Sequence, residues 1–129
     1  MIETDIIIIG AGPVGLFTVF EAGLLKLHCH LIDALPKPGG QCSEIYPKKP
    51  IYDIPGIPEI LAGDLINNLL KQIEPFKPGF TLGDPAIDIE ETTDNQFIVT
   101  TKEGIKHKAP NIAIAGGLIG TGSAQQGIG

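Results

Sequence analysis

The run Asp5-Ile6-Ile7-Ile8-Ile9, followed at once by Gly10-Ala11-Gly12-Pro13-Val14-Gly15, constrains the fold more than any other feature of the chain. An unbroken β-branched run reads as a central parallel strand buried on both faces. The GxGxxG behind it is a turn by which such a strand passes into a helix. Its first glycine permits the tight bend, its second lets a pyrophosphate approach the backbone, and its third lets helix and strand pack closely. Pro13 falls at the first helical position, where a missing N–H costs nothing. A helix is expected from Val14 to Leu25, with Val14, Leu16, Phe17, Phe20 and Leu24 as its apolar stripe. His28 to Ile32 is the second strand, so the opening of the chain is a right-handed βαβ unit.

Asp33 ends that second strand, 23 residues after Gly10. A lone GxGxxG is weak evidence, but a strand before it, a helix after it and an acid at the next strand end supply the confirming context. Phosphates would rest on the free amides and positive end of the helix. The Asp33 carboxylate would accept hydrogen bonds from ribose hydroxyls and repel a 2′-phosphate, which favours FAD or NAD over NADP. The helix departs from many flavoproteins at two places. Val19 stands where glycine or alanine is common and Lys26 where glycine is, so a slightly looser helix–sheet contact is expected.

Residues 34–62 are rich in proline and glycine and read as a long irregular loop, rare in a compact domain unless it works. Gly63-Asp64 opens a helix expected over Leu65 to Glu74, stopped by Pro75 and Pro78. Phe80 to Leu82 suits a short parallel strand. Ala86 to Glu90, Gln96 to Thr101 and Ile105 to Ala109 then alternate apolar and polar between turn residues, the pattern of an antiparallel β-meander. Asn111 to Ala115 is apolar again and should rejoin the parallel sheet, and the Gly/Ser/Gln-rich end reads as a flexible tail. The expected class is therefore α/β: a Rossmann-like parallel sheet flanked by helices, carrying an antiparallel β-meander.

Charge and cysteine content narrow the function. With nine basic and fifteen acidic residues the net charge is −6, leaving no basic face for nucleic acid. Ile6 to Ile9 is too short to cross a bilayer and lacks the basic entry of a signal peptide, so a soluble cytoplasmic protein is expected, with no membrane association. Cys29 and Cys42 form no CxxC pair. Pro47 occupies the place where a redox partner for Cys42 would stand, which excludes a dithiol in that loop. His28 and His30 share one side of a strand, but no further ligands cluster near them, so no metal is expected. Nothing suggests a hydrolytic constellation. Chemistry here would belong to the cofactor, and no catalytic side chain is assigned.

Pro38-Gly39-Gly40-Gln41-Cys42-Ser43-Glu44-Ile45-Tyr46-Pro47 and Tyr52-Asp53-Ile54-Pro55-Gly56 make the likeness specific. With the opening glycine turn and Ile112-Ala113-Ile114-Ala115-Gly116-Gly117, they resemble the thioredoxin-reductase-like ferredoxin–NADP reductases over roughly residues 3–117. The resemblance implies an FAD/NAD(P)-binding fold of the glutathione/thioredoxin reductase type. It also implies an oxidoreductase in which NADPH reduces FAD, and the flavin passes electrons to ferredoxin or flavodoxin, in a homodimer. Carried over residue by residue, Gly10, Gly12, Pro13 and Gly15 would face the pyrophosphate and Asp33 the ribose. Gly40, Gln41 and Tyr46 would line the FAD, and the backbone at Ala86 would meet the adenine.

The expected organisation is an FAD-binding domain over 1–117 and a tail over 118–129 that does not match the family. The family's NADPH domain and second FAD segment have no counterpart here, and there is no second GxGxxG. The 129 residues alone are therefore expected to be inactive with NADPH. An FAD domain of a thioredoxin reductase is the second reading, and a non-catalytic dinucleotide-binding fragment the third. Tyr46-Pro47 and Tyr52 to Gly56 favour the first.

Overall fold

The computed structural model describes residues 1–40, 42 and 46–116. Gln41 and the expected tail lie outside the described residues.

The isoleucine run forms β2 (Ile6–Ile9) at the interior of a four-stranded sheet. Its parallel neighbours are β3 (Cys29–Ile32) on one side and β10 (Asn111–Ile114) on the other, and β6 (Gly79–Thr81) completes the order β10-β2-β3-β6. Alternate isoleucines serve opposite layers, which is why the run needs no polar residue. Ile8 joins Leu31 and Cys29 beneath two helices, α1 (Pro13–Leu24) and α2 (Ala62–Ile73). Ile7 and Ile9, with Ile32, pack against Val99 and Ala109 of the meander. Each fully buried isoleucine, leucine or valine among them contributes about 1.5–3 kcal/mol of transfer free energy.

The meander is the expected antiparallel one: β7 (Ala86–Glu91), β8 (Phe97–Thr101) and β9 (Lys106–Ala109). Its sheet gains a fourth strand that periodicity alone does not announce. The two-residue β1 (Ile2–Glu3) pairs parallel with β9, so the chain enters through the meander before crossing into β2. The long loop also holds more order than expected. Pro50–Ile51 (β4) pairs antiparallel with Ile60–Leu61 (β5), around a turn in which the Ile57 N–H reaches the Ile54 carbonyl at 3.0 Å. Gly56, at φ 79°, supplies the left-handed residue that a Pro-Gly turn requires.

Two helix expectations change. The buried face of α1 is Gly15, Leu16, Val19 and Ala22, while Val14, Phe17 and Leu24 are exposed. Gly15 must face the strand, so small residues join Leu16 on the inward side, Phe20 is half-buried, and Val14, Phe17 and Leu24 of the expected stripe turn out. Val19 is itself buried in the helix–sheet core, filling the place where many flavoproteins carry a smaller residue. The second helix, α2, starts at Ala62 rather than Leu65. The Ala62 and Gly63 amides donate to the loop carbonyls of Lys49 (2.9 Å) and Pro47 (2.7 Å), which replace a side-chain cap.

A candidate dinucleotide cradle

A cleft of about 470 Å³ opens where the parallel strands end and α1 begins. It is walled by the first and second glycines of the turn, the segment from Asp33 to Leu35, Pro85 and Ala86, and the end of β10. Crevices at strand C-termini are where open parallel sheets take ligands.

Each glycine of the motif has its own cause. Gly10 has φ 114°, and a Cβ there would lie 2.5 Å from the Ala115 carbonyl oxygen. A Cβ on Gly15 would run into the Gly10 carbonyl, so only glycine lets α1 sit this close to β2. Gly12 faces open space, with no atom within 4 Å of where its Cβ would be. It caps α1 without a side-chain hydrogen bond, Pro13 follows, and no acid lies in the first turn. The helix start is thus uncapped, uncrowded and electropositive, which suits a pyrophosphate.

Asp33 shapes the opposite wall. Its Oδ2 accepts the Ala11 N–H at 2.7 Å, and its Oδ1 accepts the Leu35 N–H at 3.0 Å. Each oxygen keeps a further lone pair for a ligand hydroxyl. The Gly39 N–H in turn donates to the Ala11 carbonyl at 2.6 Å, bringing the Gly39-Gly40 corner onto the phosphate turn. The residues present fit an adenine dinucleotide: amides for the phosphates, a carboxylate for the ribose, and an open glycine between them.

The structure brings Gly10, Gly12, Pro13, Asp33, Gly40 and Ala86 to this one cleft. Gly15 serves it from behind, through packing. Tyr46 is not among the lining residues. It is half exposed, with the Lys49 ammonium 5.4 Å from its ring centre. Cys42 does line the cleft, and partial burial pushes its thiol above its ordinary range, away from a reactive thiolate. Pro85 and the Ile114-to-Gly116 stretch also line the cleft; no motif announces them, although Gly83-Asp84-Pro85 carries a turn signal.

Of the two histidines weighed as ligands, His30 has a different part, shared with His107. His30 Nε2 lies 2.7 Å from Thr81 Oγ1, and His107 Nε2 lies 2.9 Å from the same hydroxyl. His107 Nδ1, 3.3 Å from the Val99 carbonyl, is the donor there, so its Nε2 accepts from Thr81 and Thr81 accepts from His30. Burial, then the neighbouring His107 and His28, holds the His30 imidazole down to about 4. Burial lowers His107 too, against the opposing pull of the Val99 carbonyl and Asp84. Two neutral rings and a hydroxyl thus join the parallel sheet to the meander. Among the described residues no group of three or more metal-type side chains converges, and no helix is long and apolar enough to cross a membrane.

By architecture this is the dinucleotide-binding fold of the thioredoxin reductase type. It superimposes on thioredoxin reductase from Streptococcus pyogenes with TM-score 0.76 and 24% identity, covering 92% of this chain and 38% of that one. The Lactococcus lactis thioredoxin reductase gives TM-score 0.74 at 22% identity, over 88% of this chain and 35% of that one. By sequence the chain is similar to ferredoxin–NADP reductases. It is 74% identical over 118 residues to ferredoxin–NADP reductase 1 of Christiangramia forsetii, covering 92% of this chain and 33% of that protein. It is 69% identical over 118 residues to the Flavobacterium johnsoniae reductase (92% and 34%) and 56% identical over 117 residues to that of Mesorhizobium japonicum (91% and 34%). The chain therefore spans about a third of the length of the curated relatives it matches. No protein-family model matches it.

Proposed function

We propose that these residues are the FAD-binding part of a ferredoxin–NADP reductase. The observation that carries the reading is the uncapped Gly12 start of α1 facing the same cleft as the Asp33 carboxylate. Gly10, Gly12 and Pro13 hold the pyrophosphate, Asp33 the adenosine ribose and the backbone at Ala86 the adenine. Gly15 lets the helix approach. Gly40, Gln41 and Tyr46 line the FAD as the family resemblance implies, Tyr46 from outside the cleft wall. Residues 1–117 form this domain, with 118–129 a tail outside it.

Bound FAD would take a hydride and release electrons singly. In the longer reductase NADPH supplies the hydride and ferredoxin or flavodoxin takes the electrons, within a cytoplasmic homodimer. The 129 residues alone bind FAD without oxidising NADPH. Sequence relatives of up to 75% identity favour this reading over a thioredoxin reductase, whose likeness lies in the fold.

Competition against bound FAD tests the ribose assignment. ADP-ribose should displace FAD, and its 2′-phosphorylated form should not. Equal or better displacement by the phosphorylated form would contradict it.

A further inference from the structure

Asp84 lies outside the cleft wall, is 4% exposed, and directly precedes the two wall residues Pro85 and Ala86. Its Oδ2 accepts the Thr101 hydroxyl at 2.6 Å and its Oδ1 accepts the Glu103 N–H at 2.9 Å. Its own N–H donates to the Asp33 carbonyl at 3.1 Å, and the neighbouring Gly83 N–H donates to the Leu35 carbonyl at 2.9 Å. One residue therefore ties the β8–β9 turn, the segment leading into β7, and the strand end that bears the ribose-facing carboxylate.

Ala86 depends on the same tie. It pairs in register with Thr101, and the ladder then slips, so that Asp88 opposes Thr100. A bulge of this kind re-aims the backbone and needs an anchor to hold its place. The anchor is at hand. The Thr101 hydroxyl that fixes the partner strand is the one donated to Asp84, and the Lys102 N–H closes on the Pro85 carbonyl at 2.9 Å.

We infer that Asp84 is a positioning residue for the adenosine end of the cleft, setting the Pro85-Ala86 wall at a fixed distance from Asp33. The inference rests on the reading of the cleft as an FAD site. It makes affinity for the adenosine half of the ligand depend on a side chain that never touches it. A buried carboxylate accepting two hydrogen bonds is costly to remove, and its loss frees the β8–β9 turn from the segment leading into β7 while the backbone bond to Asp33 stays.

The test is calorimetric titration of the full 129-residue chain with FAD and with ADP, for wild type, Asp84→Ala and Asp84→Asn. Asn keeps an acceptor for the Glu103 N–H and offers its amide to the Thr101 oxygen. Asp84→Ala should weaken both ligands by about tenfold, the scale of one lost charged hydrogen bond, and Asp84→Asn should recover most of that loss. Asp84→Ala folded and binding as wild type would overturn the inference, as would Asp84→Asn no better than Asp84→Ala. If Asp84→Ala does not fold, Thr101→Val removes one of the two bonds, together with the Ile105 N–H contact to the same hydroxyl at 3.1 Å, at nearly constant shape. Weaker FAD binding in Thr101→Val supports the inference and unchanged binding overturns it. A wild-type chain that takes up neither ligand overturns the reading of the cleft itself, and this inference with it.

Discussion

The carboxylate of Asp33 grips the backbone N–H of Ala11 at 2.7 Å across 22 residues of chain, joining the end of β3 to the middle of the glycine turn. The residue that would meet the ribose thus also holds the turn that would meet the phosphates. Asp33→Ala should weaken FAD binding by about 1–3 kcal/mol. It should also lower the melting temperature of the ligand-free chain, because the Ala11 and Leu35 amides lose their acceptors. Flavin titration and a thermal melt read the two effects. An unchanged affinity would mean that the ribose contact is wrongly placed.

Gly15→Ala probes the closeness of helix and strand. The added methyl would meet the Gly10 carbonyl, a backbone atom with little room to yield. A loss of about 1–3 kcal/mol in urea unfolding is expected, the usual cost of overpacking a tight contact. FAD uptake should fall with it, since the Gly10 turn must move. Normal stability and uptake would show that the contact is looser than described.

The His30–Thr81–His107 bridge predicts a pH dependence. Both imidazoles have lowered folded pKa values, that of His30 about 4 against an ordinary 6.5. The unfolded chain therefore binds more protons below pH 6.5, and stability must decline as pH falls from there toward 4. Between about pH 6.5 and 5 most carboxylates stay ionised, so the histidines dominate that window. Urea unfolding should show the decline there, and His107→Gln should flatten part of it. A wild-type profile without slope in that window would contradict the bridge.

Lys26 marks a place where the chain can be improved. It sits at φ 64° just after α1, where its N–H reaches the Gly23 carbonyl at 2.9 Å and the Leu27 N–H reaches that of Ala22 at 3.0 Å. This is a helix end that favours glycine. Lys26→Gly should raise unfolding free energy by up to about 1 kcal/mol, because the left-handed strain outweighs glycine's entropy. Equilibrium urea unfolding measures the gain. A destabilised variant would show that the lysine side chain itself contributes.

Much of this was legible beforehand because local chemistry and global position coincide. Ile6 to Ile9, the glycine turn and Asp33 each carry a demand that short-range sterics state in full, and all three meet at the cleft. Hydrophobicity alone gives the wrong facing of α1 because it counts Val14, Phe17 and Leu24, while close approach at Gly15 decides which side turns inward. Strand β1 and the β4–β5 pair escaped because two-residue strands have no measurable period. The histidine bridge could not be read at all. His30, Thr81 and His107 lie far apart in sequence, and only the stacking of two sheets brings them together.

The most direct test of the central claim is the visible absorption of the purified 129-residue chain, mixed with FAD and passed through gel filtration. A flavin band that co-elutes with the protein near one equivalent, and shrinks in Asp33→Ala, is the expected result. A colourless, folded protein after that column would contradict the assignment of this cleft to FAD.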